Sequence, residues 1–124
     1  MKMIKKIASL LVLVMALVAF VGCAPKDPAA AREKLEKAEY IVVEDKVLIP
    51  GALSVLGVKG LDSVMIATKE GEIVTMIYFK EKANASEYYD KVKEYAKDKD
   101  EDCAVKQSGN WIYYGSEQAM KDFN

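Results

Sequence analysis

The first apolar pattern in the chain has no period: Ile7 to Val21 is an apolar run of 15 residues in which Ser9 is the one polar side chain. Beyond it, helical and strand periods alternate. Ala31, Leu35 and Ala38 recur at helical spacing among charged residues, behind Asp27 as N-cap and Pro28 at the first helical position. A helix is predicted from Pro28 to about Glu39, with Glu33 and Lys37 four residues apart in the favourable order. Tyr40 to Val43 and Val47 to Ile49 are β-rich runs around Glu44-Asp45-Lys46 and predict a hairpin. Pro50-Gly51 interrupts the pattern. Ala52 to Leu56 reads as one helical turn or an irregular strand, and Gly57 and Gly60 bound a loop.

Leu61 to Thr68 and Ile73 to Phe79 read as strands joined through Lys69-Glu70-Gly71-Glu72. In the second, Ile73, Thr75, Ile77 and Phe79 point one way and Val74, Met76 and Tyr78 the other. Both faces are apolar, which predicts a central strand covered on both sides. Asn84 with Glu87 three residues on resembles a capping box, opening a helix with Tyr88, Val92 and Tyr95 on one stripe. That helix runs out in the charged stretch Lys97 to Asp102. Cys103 to Gln107 and Trp111 to Tyr114 follow as strands turned by Ser108-Gly109-Asn110, and Ser116 caps a last helix with Ala119, Met120 and Phe123 inward. The order α-β-β-β-β-α-β-β-α predicts an α+β fold: two layers, a mainly antiparallel sheet with helices packed on it. No regular β-α-β alternation and no internal repeat is legible.

Composition changes the picture at the N-terminus. Lys2, Lys5 and Lys6 precede the apolar run, so the 18 basic residues fall to 15 beyond it, against 19 acidic ones. The remainder carries a formal −4, without the basic stripe that phosphate neutralisation demands, so nucleic acid is not an expected partner. The chain has no histidine, which removes the commonest general base and zinc ligand together. About 100 residues make one domain.

A basic start, an apolar run too short to span a bilayer comfortably, and Phe20-Val21-Gly22-Cys23 form one unit. It resembles a bacterial lipoprotein signal. Gly22 and Val21 match that pattern, while Phe20 stands where leucine is usual. The resemblance implies a thioether-linked diacylglyceryl group on Cys23 and cleavage before it. It divides the chain into a signal peptide (1–22), a lipid-anchored tether (23–27) and a single α+β domain (28–124). Two acyl chains suffice for stable anchoring, so the protein is expected outside the cell, held on the outer face of the membrane. The segments Lys34 to Val42 and Gly109 to Ala119 look like those of small uncharacterised lipoproteins of Gram-positive bacteria, a likeness that brings no activity with it. With Cys23 lipidated, Cys103 is left over; opening the run Cys103-Ala104-Val105, it reads as a small buried hydrophobe.

Candidate chemistry is sparse. Asp98, Asp100 and Asp102 alternate like the first ligands of an EF-hand loop, but Cys103 and Gly109 stand where Gly and Glu are required. They read as a solvated linker. No serine has a histidine partner or a Gly-x-Ser-x-Gly setting, and Gly57-Val58-Lys59-Gly60 is too short for a phosphate loop. No catalytic residue, metal site or cofactor is assigned. The densest aromatic cluster is Trp111, Tyr113 and Tyr114, with Trp111 and Tyr113 on one face of their strand. Exposed, these two would stack on sugars or receive a peptide; otherwise they pack beneath helices. The reading that results is a lipid-anchored binding module acting through its sheet surface on an envelope protein, a peptide or a cell-wall glycan. Its alternatives are a small envelope enzyme using carboxylates or a Ser–Lys pair, and a purely structural lipoprotein.

Overall fold

Every apolar stripe from Pro28 onward meets a sheet, and the sheet is apolar on both sides. The computed structural model describes residues 24–124; residues 1–23, with the expected signal peptide and lipidation site, lie outside the described residues. The elements are α1 (Pro28–Lys37), β1 (Ile41–Glu44), α2 (Leu48–Val55), β2 (Leu61–Lys69), β3 (Glu72–Phe79), α3 (Lys82–Lys99), β4 (Ala104–Ser108), β5 (Trp111–Gly115) and α4 (Glu117–Phe123). The five strands form one antiparallel sheet in the order β1-β2-β3-β5-β4. The α+β class and the central place of β3 are as the sequence predicts.

Two particulars differ from expectation. Residues 48–55 form a helix, so the predicted hairpin partner of β1 does not exist, and β1 pairs with β2 instead. The cause is Asp45, whose carboxylate accepts the backbone N–H groups of Val47, Leu48 and Ile49 at 3.0, 2.9 and 2.9 Å. These are helix-start donors that otherwise have no partner. Pro50 then sits in the first turn, where its missing N–H breaks no bond.

The second difference is the number of layers. Helices lie on both faces, three layers in all. On one face α1 and α4 bury Leu35 and Phe123 against Met65, Met76, Trp111 and Tyr113. On the other, α2 and α3 bury Leu53 and Val92 against Val64, Ile77 and Ile112. Cross-strand partners share a face, and the register Val64↔Ile77↔Ile112 beside Met65↔Met76↔Tyr113 shows why both need cover.

Local signals set the ends of the elements. Asp27 Oδ1 accepts the Ala30 N–H at 2.8 Å, capping α1 where the sequence places the cap. α3 begins at Lys82, before Asn84, which instead lies against Gly60. Ser116 occupies the N-cap position of α4, but its hydroxyl accepts the Ile73 N–H at 3.0 Å, stitching that helix to β3. Glu70 and Gly71, both at positive φ, make the two-residue β2–β3 turn.

Candidate functional site

Trp111 and Tyr113 belong to the core. They are 2% and 3% exposed, so they offer no open aromatic face. α1 and α4 each bring a narrow apolar stripe that must be covered, and the aromatic face of β5 covers it. Phe123 meets Trp111 edge-on at 5.1 Å between ring centroids and Tyr113 at 4.7 Å; Tyr78 tilts against Trp111 at 4.6 Å. A buried indole N–H needs an acceptor, and Trp111 Nε1–H donates to the Pro25 carbonyl at 2.6 Å. A cleft of about 360 Å³ reaches Tyr113 between α4 and β4, bordered by Asp102, Lys106, Glu117 and Lys121. Its rim charges balance. It gives no direction to a ligand.

The opposite face presents a surface that the sequence reading did not single out. Along it, Ile41 faces Thr68 and Ile73, and the next row holds Val43, Ile66 and Thr75. Thr75 is buried, but Ile41, Val43 and Ile73 are 69%, 58% and 45% exposed. α2 and α3 cover the rows toward the start of β2 and leave this corner open. On the same side, α2 and the residues that flank it add exposed Val47, Leu48, Val55 and Leu56. Strand positions of this size on an otherwise covered face form the kind of apolar patch that marks an interaction surface. The alternation of Ile41 and Val43 around buried Val42 carried the signal, but it was absorbed into the hairpin reading.

Edge pairing is discouraged at both sides of the sheet. At β1, an Arg32 guanidinium nitrogen donates to the outward Val42 carbonyl at 3.1 Å. At β4, the Tyr89 hydroxyl donates to Val105 O at 2.8 Å and Lys97 Nζ to Cys103 O at 2.9 Å. Side chains thus occupy carbonyls that an added strand would use, and recognition at the corner falls to its side chains.

Among the described residues, the candidate catalytic groups named from the sequence are spoken for. A shallow cleft of about 310 Å³ brings Ser63, Lys46, Glu44 and Asp45 to one rim. Burial would push the Asp45 carboxyl up, but the N–H bonds from Ile49, Val47 and Leu48 outweigh it and hold the carboxyl below the ordinary range. Asp45 is therefore a cap, not a proton donor near neutrality. Cys103 is free and buried; burial, followed by the Asp100 carboxylate, raises its thiol against the opposing pull of Lys97. Such a thiol is a poor nucleophile. Asp98 lies in the last turn of α3 and Asp100 accepts the Asp102 N–H at 3.1 Å, a local turn. Among the described residues, no three His, Cys, Asp or Glu side chains gather as a metal site. Beyond its own geometry the chain stands alone: no family model, no curated protein and no solved structure matches it.

Proposed function

We propose that this chain is a lipid-anchored extracytoplasmic binding module that holds an apolar segment of an envelope protein or peptide on the open corner of its sheet. The observation that carries the reading is the exposure of Ile41, Val43 and Ile73 on adjoining strands. Aliphatic side chains favour a protein or peptide over a cell-wall glycan, because sugar rings prefer aromatic faces and Trp111 and Tyr113 are buried. The anchor at Cys23 and the export it implies come from the signal-like N-terminus. An enzyme based on carboxylates or a Ser–Lys pair draws less support, since Asp45, at the one rim that holds Ser63 and Lys46, is committed to capping α2.

The test is site-specific photo-crosslinking in intact cells with the probe at Val43, adducts being read by mass spectrometry. A discrete protein adduct that disappears in Ile41→Asp is expected. A folded protein that gives no adduct, or gives the same adduct from a probe at Glu33 on α1, overturns the reading.

A further inference from the structure

The segment that joins Cys23 to the domain is not a free tether. Ala24 packs against the core cluster of α1, α4 and the sheet. The Pro25 carbonyl accepts from Trp111 Nε1 at 2.6 Å, the Lys26 carbonyl accepts from the Tyr78 hydroxyl at 3.1 Å, and Asp27 caps α1. Each of four successive residues is engaged. A lipid on Cys23 would begin one residue, about 3.8 Å of chain, from a residue fixed in the fold. A linker of that length keeps this end of the domain next to the bilayer surface.

The end of the molecule so fixed is identifiable. Tyr78 pairs with Trp111, the Phe79 N–H donates to Asn110 O, and the Lys80 N–H donates to Gly60 O. The start of α1, the loop before β2, the start of α3 and the β4–β5 turn therefore converge beside residue 24. Lys26, Lys59, Lys80 and Lys82 in these segments are all exposed. Asp27, Asp62 and Glu81 are their acidic neighbours, and Lys46, Glu44 and Asp45 adjoin Asp62; Asp27 and Asp45 are engaged as helix caps, so the base is close to neutral. The far end is different: segments 37–40, 69–72, 97–102 and 115–117 hold eight carboxylates and four lysines, a net −4. The nine residues of β2 separate the two ends, about 30 Å at 3.3 Å per residue. That is several screening lengths of about 8 Å in physiological salt.

We propose that the domain stands on an anionic lipid surface in one orientation, with its lysine-bearing base on the headgroups and its acidic end pointing away. This rests on lipidation at Cys23 and adds to it a surface and a direction. The base-down orientation puts the four lysines within reach of lipid phosphates and keeps the −4 end beyond screening distance. It also lifts the open corner off the bilayer, since Ile41 and Ile73 lie across from Thr68 near the far end of β2.

The experiment uses the full-length protein expressed in a bacterial host and purified with its membrane anchor. Mass spectrometry of the N-terminal peptide first establishes the acyl group on Cys23; its absence overturns the anchor, and the orientation with it, before any distance is read. The acylated protein is placed in vesicles of phosphatidylglycerol and phosphatidylcholine with a headgroup-bound energy acceptor. A donor dye is attached in turn through Ala83→Cys at the base and Glu70→Cys at the far end, both exposed positions. Strong transfer from the base and a clear loss of transfer from the far end are expected. A flexible Gly/Ser spacer of about ten residues before Ala24 removes most of that difference, and Lys59→Glu with Lys80→Glu narrows it. Equal transfer from both sites in a protein shown to be acylated overturns the orientation and leaves the anchor standing. A difference indifferent to the charge reversal overturns it too.

Discussion

At the scale of single residues, two positions carry more of the structure than their size suggests. Gly115 ends β5 at φ 153, and a Cβ built there would lie 2.1 Å from the Ile73 carbonyl oxygen. The obstacle is backbone, held by the β3–β5 ladder, so it cannot rotate aside. Gly115→Ala is expected to destabilise the domain by about 3 kcal/mol or more, read as a lowered urea midpoint with little change in slope. Asp45 is the second. Its carboxyl is lowered from an ordinary 3.8, so the charged form is favoured by folding. The stability it contributes is complete above that unfolded value and is lost as pH falls through the lower folded one. Asp45→Ala is expected to cost about 1 kcal/mol at neutral pH, and wild type and variant should converge in stability in strong acid. A constant gap across that range would show that the carboxylate is not the source.

At the scale of elements, legibility follows how local the deciding interaction is. The cap of α1, the stripes of α1 and α4, the β2–β3 turn and the β4–β5 turn are written within a few neighbouring residues, and their positions were readable; the Ser116 hydroxyl, expected to cap α4, instead bonds Ile73 far away in the chain. α2 was not. Its residues Leu48-Ile49-Pro50 have strand-like composition, and its start depends on Asp45, three positions before its first residue. An aspartate followed by a proline in the first possible turn is a helix-start signal, but the β-rich run around it outweighed that signal. Leu53 is the reason the helix stays: fully buried, it closes the second face over Val64. Leu53→Ala is expected to cost about 2–5 kcal/mol and to release α2 first, seen as fast amide exchange in residues 48–55 while β3 stays protected. Uniform loss of protection would mean that α2 has no independent edge of stability.

At the scale of the whole molecule, the sequence showed that a face rich in Trp and Tyr exists, but not whether a helix lies over it. That is decided by where α1 and α4, more than 70 residues apart in the chain, come to rest. The open corner was hidden for the complementary reason. Ile41 and Val43 look like core residues of a strand, and only the reach of α2 and α3 leaves them uncovered. Sequence pattern identifies which surfaces are apolar; the packing of distant helices decides which of them remains available. Charge behaves in the same way: the 15 basic and 19 acidic residues beyond residue 22 look evenly mixed along the chain, and folding gathers an acidic excess at one end, where eight carboxylates meet four lysines.

Trp111 is the chain's one tryptophan, and its indole is bonded to the backbone just after the expected anchor residue. The protein therefore contains its own optical gauge of how its first residues are seated. Undisturbed, the ring is almost fully buried, and that burial sets a blue-shifted emission. If tension on the N-terminal end peels residues 24–26 away while the sheet holds, the emission should move to the red before any circular dichroism changes. A single intrinsic signal would then distinguish a domain pulled from its base from one that has unfolded.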